Sequence, residues 1–164
     1  MAIPNKILPG FSAALYLQSG SNPTPLTTTQ LSTLASVAAI AVSGNLLAVE
    51  GIPAFGQDDA SANFGVAGSR QSDIIPTQSK PTSMTITAAW NPSDPNILQI
   101  RADAYAGTVD RTYVISATDG TNIIYYAFNG RVGEFKIETP TNAEAKAMFT
   151  IHPRGNQYGW SNNA

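Results

Sequence analysis

At 164 residues the chain is long enough for one domain with a real core, and 43% hydrophobic residues exclude general disorder. Charged residues make up only 12% and the formal net charge is −2, so little repulsion opposes association. Either much of the surface meets other copies, or this is an ordinary β-sandwich with a Ser/Thr/Asn-rich exterior.

Residues 1–10, with Pro4, Pro9 and Gly10, read as an extended N-terminal arm. The arm lacks the apolar core of a secretory signal, and the longest weakly polar run, Leu34 to Val42, is too short to span a bilayer. A soluble protein made in a cytoplasm, without a membrane partner, is the expectation. Phe11 to Gln18 alternates as a first strand, Ala13, Leu15 and Leu17 against Ala14, Tyr16 and Gln18. After a loop over 19–29, Gln30 to Val42 is ambiguous between helix and strand. Its β-branched residues favour a strand for the second half. Ser43-Gly44-Asn45 turns the chain and Leu46 to Glu50 returns it.

From Gly51 to Pro81 no periodicity survives, and a long loop is expected over about 51–82, functional or disordered by virtue of its length and the worst-ordered part of an isolated monomer. Ser83 to Trp90 then alternates cleanly, with Met84, Ile86, Ala88 and Trp90 on one face. One helix is predicted over about 94–106, with Asp94 at the N-cap, Pro95 at N1 and Gly107 as the stop. Ile97, Leu98, Ala102 and Tyr105 form its expected apolar face.

Arg111 to Thr118 and Thr121 to Asn129 flank Asp119-Gly120, a signal for a tight type I′ hairpin. Asn129-Gly130 marks a turn or kink before a strand over 131–139. In the last hairpin Glu134, Lys136 and Glu138 alternate with Phe135 and Ile137, and Glu144, Lys146 and Met148 alternate with Ala145, Ala147 and Phe149. Keeping apolar with apolar forces even-numbered residues to pair with even ones. Lys136 with Glu144 and Glu134 with Lys146 is one such register, giving a charge-paired polar face. Residues 155–164 read as a flexible C-terminal arm.

Little here points to catalysis. His152, the sole histidine, reads as a surface residue near a strand end, and neither a nucleophile elbow nor a phosphate or dinucleotide fingerprint occurs. Asp58 and Asp59, adjacent on a loop, lack the fixed separation of a catalytic carboxylate pair. With Asp73 they do not follow a calcium-loop pattern either. The absence of cysteine removes disulfides and thiolate metal sites. The nine Lys and Arg are scattered singly, whereas a stable nucleic-acid grip needs cations converging on one face. The expectation is no catalytic, cofactor-binding or metal-binding residues.

The order of elements from Pro81 to Gly155 carries a resemblance. A strand ending in Trp90 leads through Asn91-Pro92 to a capped helix with Ile97 and Leu98. Tyr113-Val114-Ile115, the Asp119-Gly120 turn, the segment Tyr126 to Val132 and a hairpin ending in Phe149-Thr150-Ile151 follow. This resembles the tail tube proteins of lambda-like bacteriophages with long non-contractile tails. The resemblance implies a mainly β, antiparallel sandwich or barrel with one packed helix, forming a single tail tube domain over 1–164. It implies no enzyme and no cofactor, but a virion component whose partners are itself, in stacked hexameric rings, together with tail initiator and terminator proteins. DNA would pass transiently, without specific binding. Glu134, Lys136, Glu138, Glu144 and Lys146, joined by Glu50, are the lumen-facing candidates. Asp58, Asp59, Arg70 and Asp73 are the inter-ring loop candidates. Two alternatives stay open: the inner tube of a contractile tail or secretion system, and a monomeric binding module using Trp90, Tyr125, Tyr126 and Trp160 as stacking platforms.

Overall fold

The computed structural model describes residues 13–65, 67, 68 and 72–163; the expected N-terminal arm, Phe11 and Arg70 lie outside these. Among the described residues seven strands and three α-helices follow in the order β1 (Ala13–Leu17), α1 (Thr28–Leu31), α2 (Leu34–Ile40), β2 (Gln57–Gly65), β3 (Ser72–Pro81), β4 (Met84–Ala89), α3 (Pro95–Ala106), β5 (Arg111–Thr118), β6 (Ile123–Glu138) and β7 (Lys146–Asn162). The fold is mainly β, as expected. Five strands form one antiparallel sheet in the order β1-β5-β6-β7-β4, while β2 and β3 form a separate hairpin.

The sheet curls because one extended segment laces its two edges. Leu46 bridges Tyr16 on β1 and Val49 bridges Ala88 on β4. The Leu47 N–H donates to Leu15, the Ala89 N–H to Ala48, and the Glu50 N–H to Thr87. The concave face therefore encloses the main core, built from alternating strand residues such as Leu15, Ile86, Tyr113, Phe128, Phe149 and Ile151. Ile97 and Ile100 of α3 complete it. The Asp94 carboxylate caps α3 by accepting from the Asn96 N–H, and Gly107 ends it in the left-handed conformation at φ 70°. Its buried face is Ile97, Ile100 and Asp103, so of the expected set only Ile97 is buried, and Tyr105 is 96% exposed.

Asp103 is buried because it meets Arg111, whose Nε lies 2.7 Å from Oδ2. The same guanidinium donates to the carbonyls of Gln18 and Gly20, so one buried cation ties α3, β5 and the exit of β1 together. The Tyr113 hydroxyl nearby is buried without a hydrogen-bond partner among the described residues. Desolvation, reinforced by the Asp103 charge, pushes its pKa well above the ordinary phenol value.

The convex face is covered only in part. Leu31 of α1 and Val37 and Ile40 of α2 pack on Val114 and Ala127. Here the strand expected in the second half of 30–42 is corrected to helix. Val37 and Ile40, three residues apart, share the buried face of α2 at a helical spacing. A capping box at Thr27 and Gln30 starts α1. A Cβ on Gly159 of β7 would lie 2.8 Å from the Leu31 carbonyl oxygen, so the close seating of α1 depends on that glycine.

Three further expectations are corrected. The β5–β6 connection is a four-residue loop with Thr118 opposite Ile123, because the Asp119 carboxylate accepts from the Thr121 and Asn122 N–H groups and rounds off the turn. Both contacts, the Asn122 N–H foremost, hold the Asp119 pKa below the usual carboxylate value. The expected flexible C-terminal arm is instead strand, Tyr158 to Asn162 pairing with Ile124 to Phe128. Tyr158 packs on the main core and Trp160 stacks 4.6 Å from the Tyr126 ring, which fixes it. Within the expected loop of 51–82, β2 and β3 pair over nine residue pairs.

Candidate assembly surfaces

Two surfaces lack a covering partner among the described residues, and the sequence-derived candidates divide between them. The first is the part of the convex face that α1 and α2 leave bare: β4, the C-terminal half of β6 and the N-terminal half of β7. Core-facing Ile86, Phe149 and Val132 alternate here with Thr85, Thr87, Met148, Thr150 and Gly133 pointing the other way. The centre is small and neutral, and the Thr85 and Thr150 hydroxyls lie 3.2 Å apart.

Even-with-even pairing holds, but in another register from the one written above: Glu138 faces Lys146 and Lys136 faces Met148. A bulge between Gly133 and Lys136 resets the ladder, with Glu134 at φ 58°, and Glu144 lies in the connection before β7. Thr150 Oγ1 donates to Glu134 Oε2 at 3.1 Å. Lys146 Nζ donates to Glu50 Oε1 at 2.6 Å and lies 3.9 Å from Glu144. The Glu50 hydrogen bond, then its charge, raises the Lys146 pKa above the ordinary lysine value.

All five lumen-facing candidates, with Glu50, thus gather on or beside one face. Sequence reasoning missed the far end of that face. Arg131 pairs with His152 across the ladder, and Arg131 and Arg154 converge on Asp110, at 2.6 Å and 3.6 Å. The register shift between Phe128 and Gly130, which takes up extra residues of β7, sets His152 opposite Arg131. Counting both ends, five carboxylates (Glu50, Asp110, Glu134, Glu138, Glu144) oppose four cations (Arg131, Lys136, Lys146, Arg154). Such a surface is polar without being cationic.

The second surface is the β2–β3 hairpin. Its base is anchored: the Tyr126 hydroxyl and the Thr82 N–H both donate to the Gly56 carbonyl, and Phe55 lies against Tyr126 and Trp160. Beyond the base it projects. Every β2 side chain is exposed, and toward the tip Phe64, Ile74 and Ile75 are 59%, 70% and 48% exposed. A lone two-stranded ribbon is marginally stable in water, and these are large apolar groups left to solvent. Asp58 and Asp59 stand near the base, Asp59 accepting from Ser79, and Asp73 pairs with Phe64 near the tip.

His152 is exposed on an open sheet face, and the described residues hold no group of three or more metal-ligating side chains.

No family model matches the chain, and no curated protein matches it in sequence. Solved structures do match in fold. A chain of the anti-feeding prophage baseplate superposes with a TM-score of 0.64 at 9% identity, over 96% of this chain and 97% of that one. A chain of an extracellular contractile injection system, captured at its sheath/tube terminator, gives 0.63 at 11% identity over 96% and 97%. The SPP1 tail tube gives 0.56 at 10% identity over 93% and 79%. The shared property is the fold, along nearly the whole chain.

Proposed function

We propose that this chain is a structural subunit of a phage-like tail tube, assembling with copies of itself into hexameric rings that stack into a hollow conduit. The observation that carries the reading is the pairing of two surfaces on a fold shared end to end with tube and terminator proteins. One is a non-cationic polar face and the other a projecting hairpin with an apolar tip.

The physics of each surface fits its part. A lumen for DNA must not bind it, because every phosphate neutralised by a cation adds affinity and so resistance to sliding. The Thr-rich centre, with five carboxylates against four cations around it, meets that requirement. The hairpin, including Asp58, Asp59, Arg70 and Asp73, is the segment between successive rings. A neighbour supplies the apolar cover that the described residues of its own chain do not, and the contact is heterologous, so it propagates. Initiator and terminator proteins would then start and stop the array in a virion tail. This role involves no catalysis and no cofactor.

A second reading keeps the fold and changes the machine: an inner tube or tube-terminating protein of a contractile particle. It is favoured by the matches to the anti-feeding prophage and to the extracellular contractile injection system. Electron microscopy of purified, concentrated protein tests the common core of both. Hollow tubes are expected, and a stable, compact single copy at high concentration refutes them; a sheath around native particles would select the contractile reading.

A further inference from the structure

The bare face has two electrically different ends. One end is the row where Glu138 faces Lys146, with Glu50 and Glu144 beside it. The other is the row where Arg131 faces His152, with Asp110 and Arg154 beside it. Six steps along β7, from Lys146 to His152, separate these rows, ~20 Å at about 3.3 Å per residue in a strand.

At the first end Lys146 is shared by Glu50 and Glu144, while Glu138 adds a further carboxylate and Lys136, one pleat inward, a further cation. Three carboxylates then stand against two lysines. Glu144 is the outermost of these groups, its side chain 78% exposed. At the second end two arginines share the single carboxylate of Asp110. Arg154, at 3.6 Å and 50% exposed, is the looser of the two and keeps charge to spend outside the chain. Asp58 and Lys80 of the hairpin base border this end with one charge of each sign. The first end thus carries a carboxylate excess with Glu144 outermost, and the second presents Arg154 as its loosely held cation.

The hairpin adds direction. Asp58, Lys80, Thr82 and Ser83 border the same hollow as Pro153 and Gly155, so β2–β3 springs from the arginine end. The base of the apolar-tipped hairpin and the cationic rim therefore lie at the same end of the face.

Building on the tube reading, we infer that copies of this chain stack head to tail with the Arg131–Arg154 end of one on the Glu138–Glu144 end of the next. The hairpin supplies apolar area, and the charges select orientation, because a head-to-head stack would place like charges together. The partner is a second copy of the same chain, and one charge pair per copy recurs at every step along the axis.

Charge reversal tests this. Arg154→Glu and Glu144→Arg are made singly and together, and the lowest concentration giving pelletable tubes is measured in low and high salt. Thermal melts of the three variants, expected to match the parent because both sites are exposed, exclude misfolding. Each single reversal should raise that concentration about two- to fivefold in low salt, the range of exposed ion pairs, with the gap narrowing in high salt. The double reversal should return it to the parent value. Singles that assemble like the parent, or a double no better than the worse single, would overturn the stacking polarity while leaving the tube reading intact. Failure of the parent protein to form tubes at all would instead overturn the tube reading and the polarity with it.

Discussion

Lys146 Nζ lies 2.6 Å from Glu50 Oε1, and this contact joins the segment that laces the sheet's edges to the strand at the centre of its bare face. The ordered polar face and the curl of the sheet are in this way one feature. The main core fills the concave side, two short helices cover part of the convex side, and the remainder has no partner within the described chain.

The Asp103–Arg111 pair should dominate monomer stability. Replacing Arg111 with Met leaves the Asp103 carboxylate buried and unpaired, and frees the carbonyls of Gln18 and Gly20. Breaking one side of a buried pair costs about 3–5 kcal/mol, so the urea midpoint should fall steeply. Adding Asp103→Leu should recover part of the loss.

Apolar-tip variants should separate folding from assembly. Phe64→Ser with Ile74→Ser alters only exposed side chains, so the melting transition should move by no more than about 0.5 kcal/mol in stability. Burying one such side chain is worth about 1.5–3 kcal/mol. Tube formation should therefore need at least tenfold more protein, measured by pelleting.

A cationic lumen should impede passage without preventing assembly. Thr85 and Thr87 lie on the bare face between the two charged rows. Thr85→Lys with Thr87→Lys should permit tubes of normal length, while particles carrying it should release DNA more slowly, most clearly in low salt. Unchanged release would remove this face from the lumen.

The Asp119 loop predicts a pH signature. Backbone N–H groups of Asn122 and Thr121 lower the carboxyl's folded pKa from 3.8. A depressed folded value means that the stabilisation is present above 3.8 and is lost as pH falls through the folded pKa. Asp119→Ala should melt below the parent at neutral pH, and the difference should shrink as the pH drops under about 3.8.

Much of the fold is legible from pattern alone. Strict alternation marks Met84 to Ala89, and Asp94, Pro95 and Gly107 bracket α3, because caps and period act locally. The misreadings share a cause in non-local packing. The run Leu34 to Val42 is apolar at both periods, and only the sheet surface beneath Val37 and Ile40 decides for helix. β3 is hidden by Pro76, which pairs with Ser61 beside a bulge on a ribbon free to accept a proline. In the final hairpin the parity was readable but the register was not, since the bulge at Glu134 leaves no trace in the alternation. The arginine end of the bare face escaped for a similar reason: Asp110, Arg131 and Arg154 converge only through pairing between distant segments.

Amide hydrogen exchange across residues 57–65 and 72–81, compared between dilute monomer and concentrated protein, tests the central claim most directly: that the hairpin and the bare face are completed by other copies. The account predicts fast exchange in the monomer and strong protection after assembly. A hairpin protected to the same degree in both states would contradict it.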